Sequence, residues 1–535
     1  HKYHYFMIVI VALLYAIDAN LYYSSWGTKI NVKAFLFLNT PEMVVGAVDY
    51  KYRLILLALF VVQAFIGIYF YRKKIVSTYH SIDFSPLKII PIFLILSGLI
   101  FIGIRGGLQE IPVNQGHVYY SHNPTLNTAA VNSLWNLGNT VFQNQQLNVN
   151  TYQKLDEEYA QSLVDDLYYV EKDTTISLFT LEKPNIVFIT LEGVNANVLP
   201  YYGAEENHAP TMQTLIENHA LLFPNFYSSG YRTDQGLAAL MSGFPAQPLT
   251  TISAQPEKYA KLPSFPHDLQ TMGYDCHFYF GGEAEFGSFK SFLMYSGFDP
   301  IIDFEDYPQE QLTQKLGAPD EFLFQKVDEL LDTPSEPFYA HIMTQTTHEP
   351  YDMPFNEGVY DDRDRYLNTV TYTDSVLGDY LEKVMKKSWY ENTIFILTCD
   401  HAHPLPGNYW YSDPNRFHIP FMLFGEPLKN EFIATQNTLF CSQTDIPATI
   451  LKQLGQDNTS AYKWSKDMMN PYSKEFAFFV YVNGYIMQTP TSLNGWEYNY
   501  DVGVAESYHA AGDSILRLHQ GQSYMQQMFQ SYLDF

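Results

Sequence analysis

At 535 residues the chain exceeds one ordinary domain, and 31 Lys and Arg against 57 Asp and Glu give it a formal charge of −26. So acidic a protein repels nucleic acid, which excludes that class of partner. Its three cysteines, Cys276, Cys399 and Cys441, are scattered without C-x-x-C spacing, so neither a disulfide framework nor a thiolate zinc site is expected.

The first residue is His1 rather than Met, so a longer N-terminal region is expected, one with room for further spans. Residues 54–71, LILLALFVVQAFIGIYFY, run 18 positions with one amide and no charge. At about 1.5 Å per residue they cover most of a bilayer of about 30 Å, which predicts a transmembrane helix. Residues 6–23 and 87–104 are weaker spans, because Asp18 lies inside the first and Lys88 at the edge of the second; a buried core helix is the alternative for each. Tyr22, Tyr23, Trp26, Tyr69 and Tyr71 suit an interfacial aromatic belt. Arg72, Lys73 and Lys74 place the loop after the second span in the cytoplasm, although Lys29, Lys33, Lys51 and Arg53 before it blur that bias. The third span then runs outward, so residues 1–107 form a membrane domain of about three helices and everything after Gly107 lies outside the cell membrane.

Residues 108–183 are polar and rich in Asn and Gln, with helical patterns over 129–142 and 152–170. In the second, Leu155, Tyr159, Leu163 and Leu167 recur at i, i+4. This segment is a helical linker lying along the membrane or against the next domain, with an amphipathic membrane anchor as the alternative. From 184 to 535 the pattern becomes α/β. NIVFIT (185–190), CHFYF (276–280), FYAHIM (338–343), TIFILT (393–398) and IPFMLF (419–424) are continuous apolar runs, which predict strands buried on both faces of a mostly parallel central sheet. Sites in such sheets gather beyond the carboxyl ends of the strands.

The residues leaving those ends are Glu192, the pair Asp400-His401 in DHAHP, and His348 in TQTTHEP. Carboxylates and imidazoles on one rim are costly to desolvate singly, and one divalent cation held by Glu192, Asp400 and His401 would compensate them together. Mixed oxygen and nitrogen donors suit Mn²⁺ or Zn²⁺ better than Ca²⁺. Thr233, in the turn from Gly230 to Gly236, precedes a small-residue helix. Its hydroxyl is either a helix cap or a nucleophile that a metal activates beside a phosphate seated on the helix N-terminus.

NIVFITLEG, GYRTDQG, TTHEPY and TCDHAHPLPG, in this order and at these wide spacings, resemble the lipoteichoic acid synthase branch of the alkaline phosphatase and sulfatase superfamily. The resemblance covers roughly residues 184–460, and preceding membrane helices and a linker also belong to that branch. It implies a sulfatase-like α/β sandwich facing the cell exterior and a metal-dependent phosphotransferase using one divalent ion, a second being the alternative. Glu192, Thr233, Asp400 and His401 would be the ligands, with Thr233 also the nucleophile that becomes phosphorylated. His348 would contact the phosphoryl group or protonate the leaving alcohol, and His403 and His418 fall where relatives place further substrate or second-metal histidines; His418 is equally readable as a packed strand residue. Arg232 either pairs with Asp234 at the surface or grips a phosphate oxygen.

The activity implied is transfer of a phosphoglycerol-type head group from a phospholipid donor to an envelope acceptor, whether glycan, lipid or polymer. Phosphoethanolamine transfer and phosphodiester or sulfate-ester hydrolysis are the alternatives within the superfamily. Sulfate esters are disfavoured because Thr233-Asp234-Gln235 stands where arylsulfatases need C/S-x-P-x-R. The Trp and Arg that hold glycerol phosphate in lipoteichoic acid synthases are missing from GGEAEFGSFK (281–290), which offers Glu283, Glu285, Phe286 and Lys290. A catalytically silent envelope scaffold is the rival from another class; presence of all four ligand candidates argues against it.

Overall fold

The computed structural model describes residues 2–23, 29, 50–76, 86–108, 113, 118, 126, 129–143, 149–248, 250–284, 289–410, 412–456, 458–498, 501–508 and 514–535. Trp26, Lys33, Glu285 and Phe286 lie outside the described residues, as do the side chains of Tyr22, Tyr23, Lys51, Arg53 and Lys88. Contacts divide the chain into two compact units, His1–Val149 and Asn150–Phe535.

In the first unit all three apolar runs form helices, Lys2–Tyr23, Tyr50–Phe70 and Pro86–Arg105. Among the described residues only Leu54–Ile75 is long and apolar enough to cross a bilayer, and Ile90–Arg105 is a shorter apolar helix. Asp18, the residue that weakened the first span, is buried and compensated. It pairs with Lys29 Nζ at 3.2 Å and accepts the hydroxyl of Ser133, at the start of the helix Ser133–Gln143. A carboxylate in such surroundings is tolerated only with partners of this kind.

The second unit is built on an eight-stranded sheet. Its strands are β1 (Asn185–Leu191), β2 (Leu221–Leu222), β4 (Asp275–Phe280), β5 (Ile301–Ile302), β6 (Phe338–Met343), β7 (Thr393–Cys399), β8 (Met422–Phe424) and β9 (Thr435–Gln436). Their spatial order is β5-β4-β6-β1-β7-β8-β2-β9. β1, β6 and β7 are buried at every position, so both faces of the sheet's centre are covered. The pairs β5·β4, β4·β6, β6·β1, β1·β7 and β2·β9 are parallel, whereas β8 runs antiparallel to β7 and to β2. The run at 419–424 is therefore a shorter and reversed strand, with its ladder to β7 and β2 over Met422–Phe424.

Register brings the strand ends together. Thr190 on β1 pairs with Met343 on β6, and Leu191 pairs with Cys399 on β7, so the next residues, Glu192, Thr344 and Asp400, emerge side by side.

A two-stranded pair, β3 (Phe226–Tyr227) with β10 (Cys441–Ser442), leads to a four-stranded antiparallel meander. The meander consists of β11 (Ala477–Tyr481), β12 (Gly484–Thr489), β13 (Ser492–Glu497) and β14 (Val502–Tyr508). Tyr227, Phe417, Phe479 and Ile486 form a buried cluster joining it to the main body. The C-terminal helix Ser514–Asp534 packs against the meander and against the helix Glu157–Tyr168. The latter buries Ala160, Leu163, Val164 and Leu167, while Tyr159 stays 41% exposed. Leu163 and Leu167 of the expected series thus face inward and Tyr159 does not, because at about 3.6 residues per turn a strict spacing of four drifts around the helix and Ala160 takes the inward place.

Candidate active site and metal centre

Glu192 follows the first strand directly and is almost fully buried. Its backbone is clamped by two threonines of the loop after β6. The Glu192 N–H donates to Thr344 Oγ1 at 3.0 Å, and the Thr347 hydroxyl donates to the Glu192 carbonyl. Gly193 follows with φ +58°, a left-handed turn that an L side chain adopts only under strain. Its N–H reaches across to Asp400 Oδ1 at 2.9 Å.

Asp400 is wholly buried. Oδ1 accepts from Gly193 and from the His401 N–H at 2.8 Å, while Oδ2 has no hydrogen-bond partner. His401 Nε2 lies 3.3 Å from Glu192 Oε1 and 3.6 Å from Asp400 Oδ2. His401 Nδ1 sits 3.1 Å from the Ala402 carbonyl, which can only accept, so the Nδ1–H is fixed there and Nε2 is the nitrogen that faces the two carboxylates. Donor atoms of Glu192, Asp400 and His401 fall within 4.8 Å of one another.

Thr233 opens the helix Thr233–Ser242. The cap position is Arg232, and no side chain caps this end, so the hydroxyl is not spent on the helix. Instead Thr233 Oγ1 donates to Glu192 Oε2 at 3.2 Å. The first turn stands hard against the Asp-His strand end: a Cβ on Gly236 would fall 2.0 Å from the Asp400 carbonyl oxygen, so only glycine fits.

The electrostatics follow from this crowding. Burial and the neighbouring Glu192 charge both push the Asp400 carboxyl up from its ordinary value. Burial works in the same sense on Glu192, yet the hydrogen bond and charge of His401, with His348 adding to them, hold it below the usual range. Burial alone would depress His401, but the Asp400 and Glu192 carboxylates outweigh it and raise the imidazole. Two carboxylates, one of them with an unpartnered buried oxygen, and one imidazole, with a hydroxyl bonded to Glu192, form a donor set that a divalent cation fits. The same oxygen left without a cation would cost on the order of 1–3 kcal/mol or more.

The other expected site residues fall into two groups. His348 lies on the same rim, half-buried, with Nδ1 2.6 Å from the Glu349 carbonyl. Arg232 is exposed beside Thr233, its guanidinium 5.5 Å from the Tyr231 ring, and its charge works against the burial that raises the Asp234 carboxyl. His403 and His418 are held by packing. His403 Nδ1 accepts the Leu405 N–H at 3.1 Å, so Nε2–H donates to the Tyr351 hydroxyl at 2.9 Å, and the ring stacks on Tyr366 at 4.5 Å. Burial lowers it to about 3. His418 donates from Nε2 to the Pro224 carbonyl at 2.7 Å and stacks on Tyr227, with burial lowering it to about 4. Lys290, offered by the 281–290 segment, is ion-paired to Asp303 at 2.9 Å.

Several residues at the site carried no expectation. Thr344 and Thr347 were visible in the TQTTHEP motif but had no assigned task. Arg416 is buried and donates to the Ala402 carbonyl, and Asn195 Nδ2 holds the carbonyls of His403 and Asn415 at 2.8 Å each, so the loop after His401 is tied down at both ends.

The sulfatase family matches residues 184–456, about half of the chain. Among curated proteins, lipoteichoic acid synthase 2 of Bacillus subtilis is 23% identical over 350 residues, covering 60% of this chain and 52% of that protein. A lipoteichoic acid synthase-like protein of the same organism is 27% identical over 278 residues, covering 48% and 43%. The chain thus spans about half the length of the curated relatives it matches. Among solved structures, an alkaline phosphatase superfamily protein from Vibrio parahaemolyticus superposes with a TM-score of 0.61 at 22% identity, covering 72% of this chain and 98% of that one. A lipoteichoic acid synthase from Listeria monocytogenes gives 0.57 at 19%, covering 70% and 98%. The fold is accordingly of the alkaline phosphatase and sulfatase kind.

Proposed function

The chain belongs to the sulfatase family, and on that premise we propose that it is a membrane-anchored, metal-dependent phosphotransferase acting through a phosphothreonine at Thr233. The single observation that carries this reading is the unpartnered Asp400 Oδ2, buried among Glu192, His401 and the Thr233 hydroxyl. In this reading residues 1–107 are a multi-pass anchor, 108–183 a linker and 184–535 an extracytoplasmic catalytic domain. The donor is a phospholipid carrying a phosphoglycerol head group, and the acceptor is an envelope glycan, lipid or polymer. Likeness to lipoteichoic acid synthases supports that choice of head group.

Glu192, Asp400, His401 and the Thr233 hydroxyl would hold one Mn²⁺ or Zn²⁺, a second ion being the alternative. Such an ion, when bound, supplies positive charge that lowers the pKa of a contacting hydroxyl and offsets charge on a phosphoryl group. In the first step Thr233 Oγ1 gives up its proton toward Glu192 and attacks phosphorus. The Oγ1–P bond forms, the bond from phosphorus to the diacylglycerol oxygen breaks, and His348 protonates that oxygen. In the second step an acceptor hydroxyl gives its proton to His348 and attacks phosphorus; the new O–P bond forms, the Oγ1–P bond breaks, and the proton held at Glu192 returns to Thr233 Oγ1. First-turn N–H groups of the helix Thr233–Ser242 and the exposed Arg232 guanidinium face the transferred group and spread its charge. His403, whose two ring nitrogens are both engaged, and His418, bonded through Nε2, act by holding the loop and strand they sit on.

Phosphoethanolamine transfer or simple hydrolysis is the second reading, favoured by the segment 281–290, which has neither Trp nor Arg and whose Lys290 is committed to Asp303. Labelled phosphatidylglycerol and phosphatidylethanolamine offered to the detergent-solubilised chain separate the two. Diacylglycerol from the first alone is the expected result, and release from the second alone would replace phosphoglycerol as the head group. No release from either in the presence of Mn²⁺ or Zn²⁺ would favour the silent scaffold.

A further inference from the structure

The two halves of the site come from distant segments: Ser229–Gly236 carries the nucleophile and Cys399–His401 carries the Asp-His pair. Contact of Gly236 with the Asp400 carbonyl limits how closely they approach, but a steric contact alone does not stop them separating. Gln443 supplies what is missing. It is fully buried, its Nε2 lies 2.7 Å from the carbonyl oxygens of both Cys399 and Asp400, and its Oε1 accepts the Ser229 N–H at 2.9 Å. The orientation of the amide follows from its partners, since two carbonyls can only accept and a backbone N–H can only donate.

The base of this side chain is itself immobilised. Gln443 begins a 3-10 turn, Gln443–Asp445, closed by a capping box in which Asp445 Oδ2 accepts the Ser442 N–H at 2.9 Å. Asp445 Oδ1 accepts the Lys466 N–H at 3.0 Å, and Lys466 Nζ, buried 3.5 Å from Asp445, donates to the Phe440 and Phe476 carbonyls. One amide with both donor hydrogens and its acceptor engaged therefore bridges the strand end bearing Asp400 and the turn bearing Thr233 from a rigid support.

Resting on the reading that these segments carry the chemistry, we propose that Gln443 is a positioning residue that sets the separation between the Thr233 hydroxyl and the Asp400-His401 pair. It touches neither substrate nor metal and acts through the backbone of both.

The test uses the full chain in detergent, with Mn²⁺ as the probe. Gln443→Met keeps the length of the side chain and removes every hydrogen bond. Mn²⁺ affinity by calorimetry, kcat and KM for phosphatidylglycerol, and the melting temperature are read together. Asp374→Asn is the control; Asp374 caps the helix Pro210–Asn218 through the Thr211 and Met212 N–H groups, away from the ligands. Gln443→Met is expected to weaken Mn²⁺ binding by roughly tenfold or more and to lower kcat by about 30-fold with little change in KM, the scale typical of residues that orient metal ligands. Asp374→Asn should lower the melting temperature and leave affinity unchanged. If Gln443→Met does not fold, Gln443→Asn, which keeps the amide but falls short by one methylene, should show the same losses in smaller measure. A folded Gln443 variant whose affinity and kcat stay within about twofold of wild type, whatever its melting temperature, overturns the proposal. A wild-type chain that binds Mn²⁺ but releases no diacylglycerol contradicts the transfer reading alone, since the affinity comparison still decides the role of Gln443.

Discussion

His341 and Asp400 are both fully buried in the same sheet, one in its interior and one on its rim, and their surroundings are opposite. On β6 the His341 ring lies between Phe188 of β1 and Phe278 of β4, stacked on both, and each of its nitrogens has a partner: Tyr339 OH at 2.8 Å and Thr190 Oγ1 at 2.9 Å. Burial lowers it to about 3, so it is a neutral, saturated part of the core. At the end of β7, Asp400 faces another carboxylate and keeps one oxygen without a partner. A folded chain tolerates buried polarity where it is satisfied; polarity left unsatisfied at a strand end marks a place that something else must complete.

The largest expected effect breaks the rim. Thr233→Ala should abolish the mass gain of a phosphorylated intermediate on exposure to phosphatidylglycerol and lower turnover by roughly 10⁴-fold, measured by intact mass and diacylglycerol release. Turnover unchanged in this variant would remove Thr233 from the mechanism. Next, Asp400→Asn should abolish detectable Mn²⁺ binding and lower kcat by about 10³-fold. Without metal it should melt no lower than wild type, because one of two buried like charges is gone. A large stability loss without loss of Mn²⁺ binding would assign Asp400 to the core instead.

The interior should answer in the opposite way. His341→Asn is expected to cost on the order of 2–4 kcal/mol near neutral pH by denaturant unfolding, with kcat of the folded fraction unchanged. The gap should narrow on acidification and change sign before the foot of the window at about 3. With His341 depressed in the folded state, the unfolded chain binds the extra proton between about 6.5 and 3, so wild type gives up this contribution as pH falls through that window, by about 1.4 kcal/mol per unit. A gap independent of pH would mean that His341 is not held neutral. The smallest effect is expected at His418, whose ring is stacked and bonded to a carbonyl. His418→Asn should cost about 1 kcal/mol and leave kcat within roughly threefold. A kcat loss of two orders would return it to the substrate pocket.

The same contrast explains what could be read beforehand. β1, β4, β6 and β7 were legible because strands buried on both faces must be continuous apolar runs. Glu192, Asp400 and His401 were legible because polar residues leaving such runs stand out. The meander beyond β10 was not, since strands carrying Asn, Gln and Gly lack a clear period, and neither was the reversal of β8, since an apolar run carries no mark of its direction. Gln443 was invisible for a different reason. A lone glutamine has no motif, and its task exists only through partners 43 and 214 positions away. The packing of His403 against Tyr366 and Tyr351 likewise depends on residues that only folding assembles.

Anomalous diffraction at the manganese edge, from crystals of the full chain grown with Mn²⁺, tests the central claim most directly. One peak is expected within coordination distance of Glu192, Asp400 and His401, on the side facing the Thr233 hydroxyl. No peak there, or a peak only at unrelated carboxylates, would contradict it.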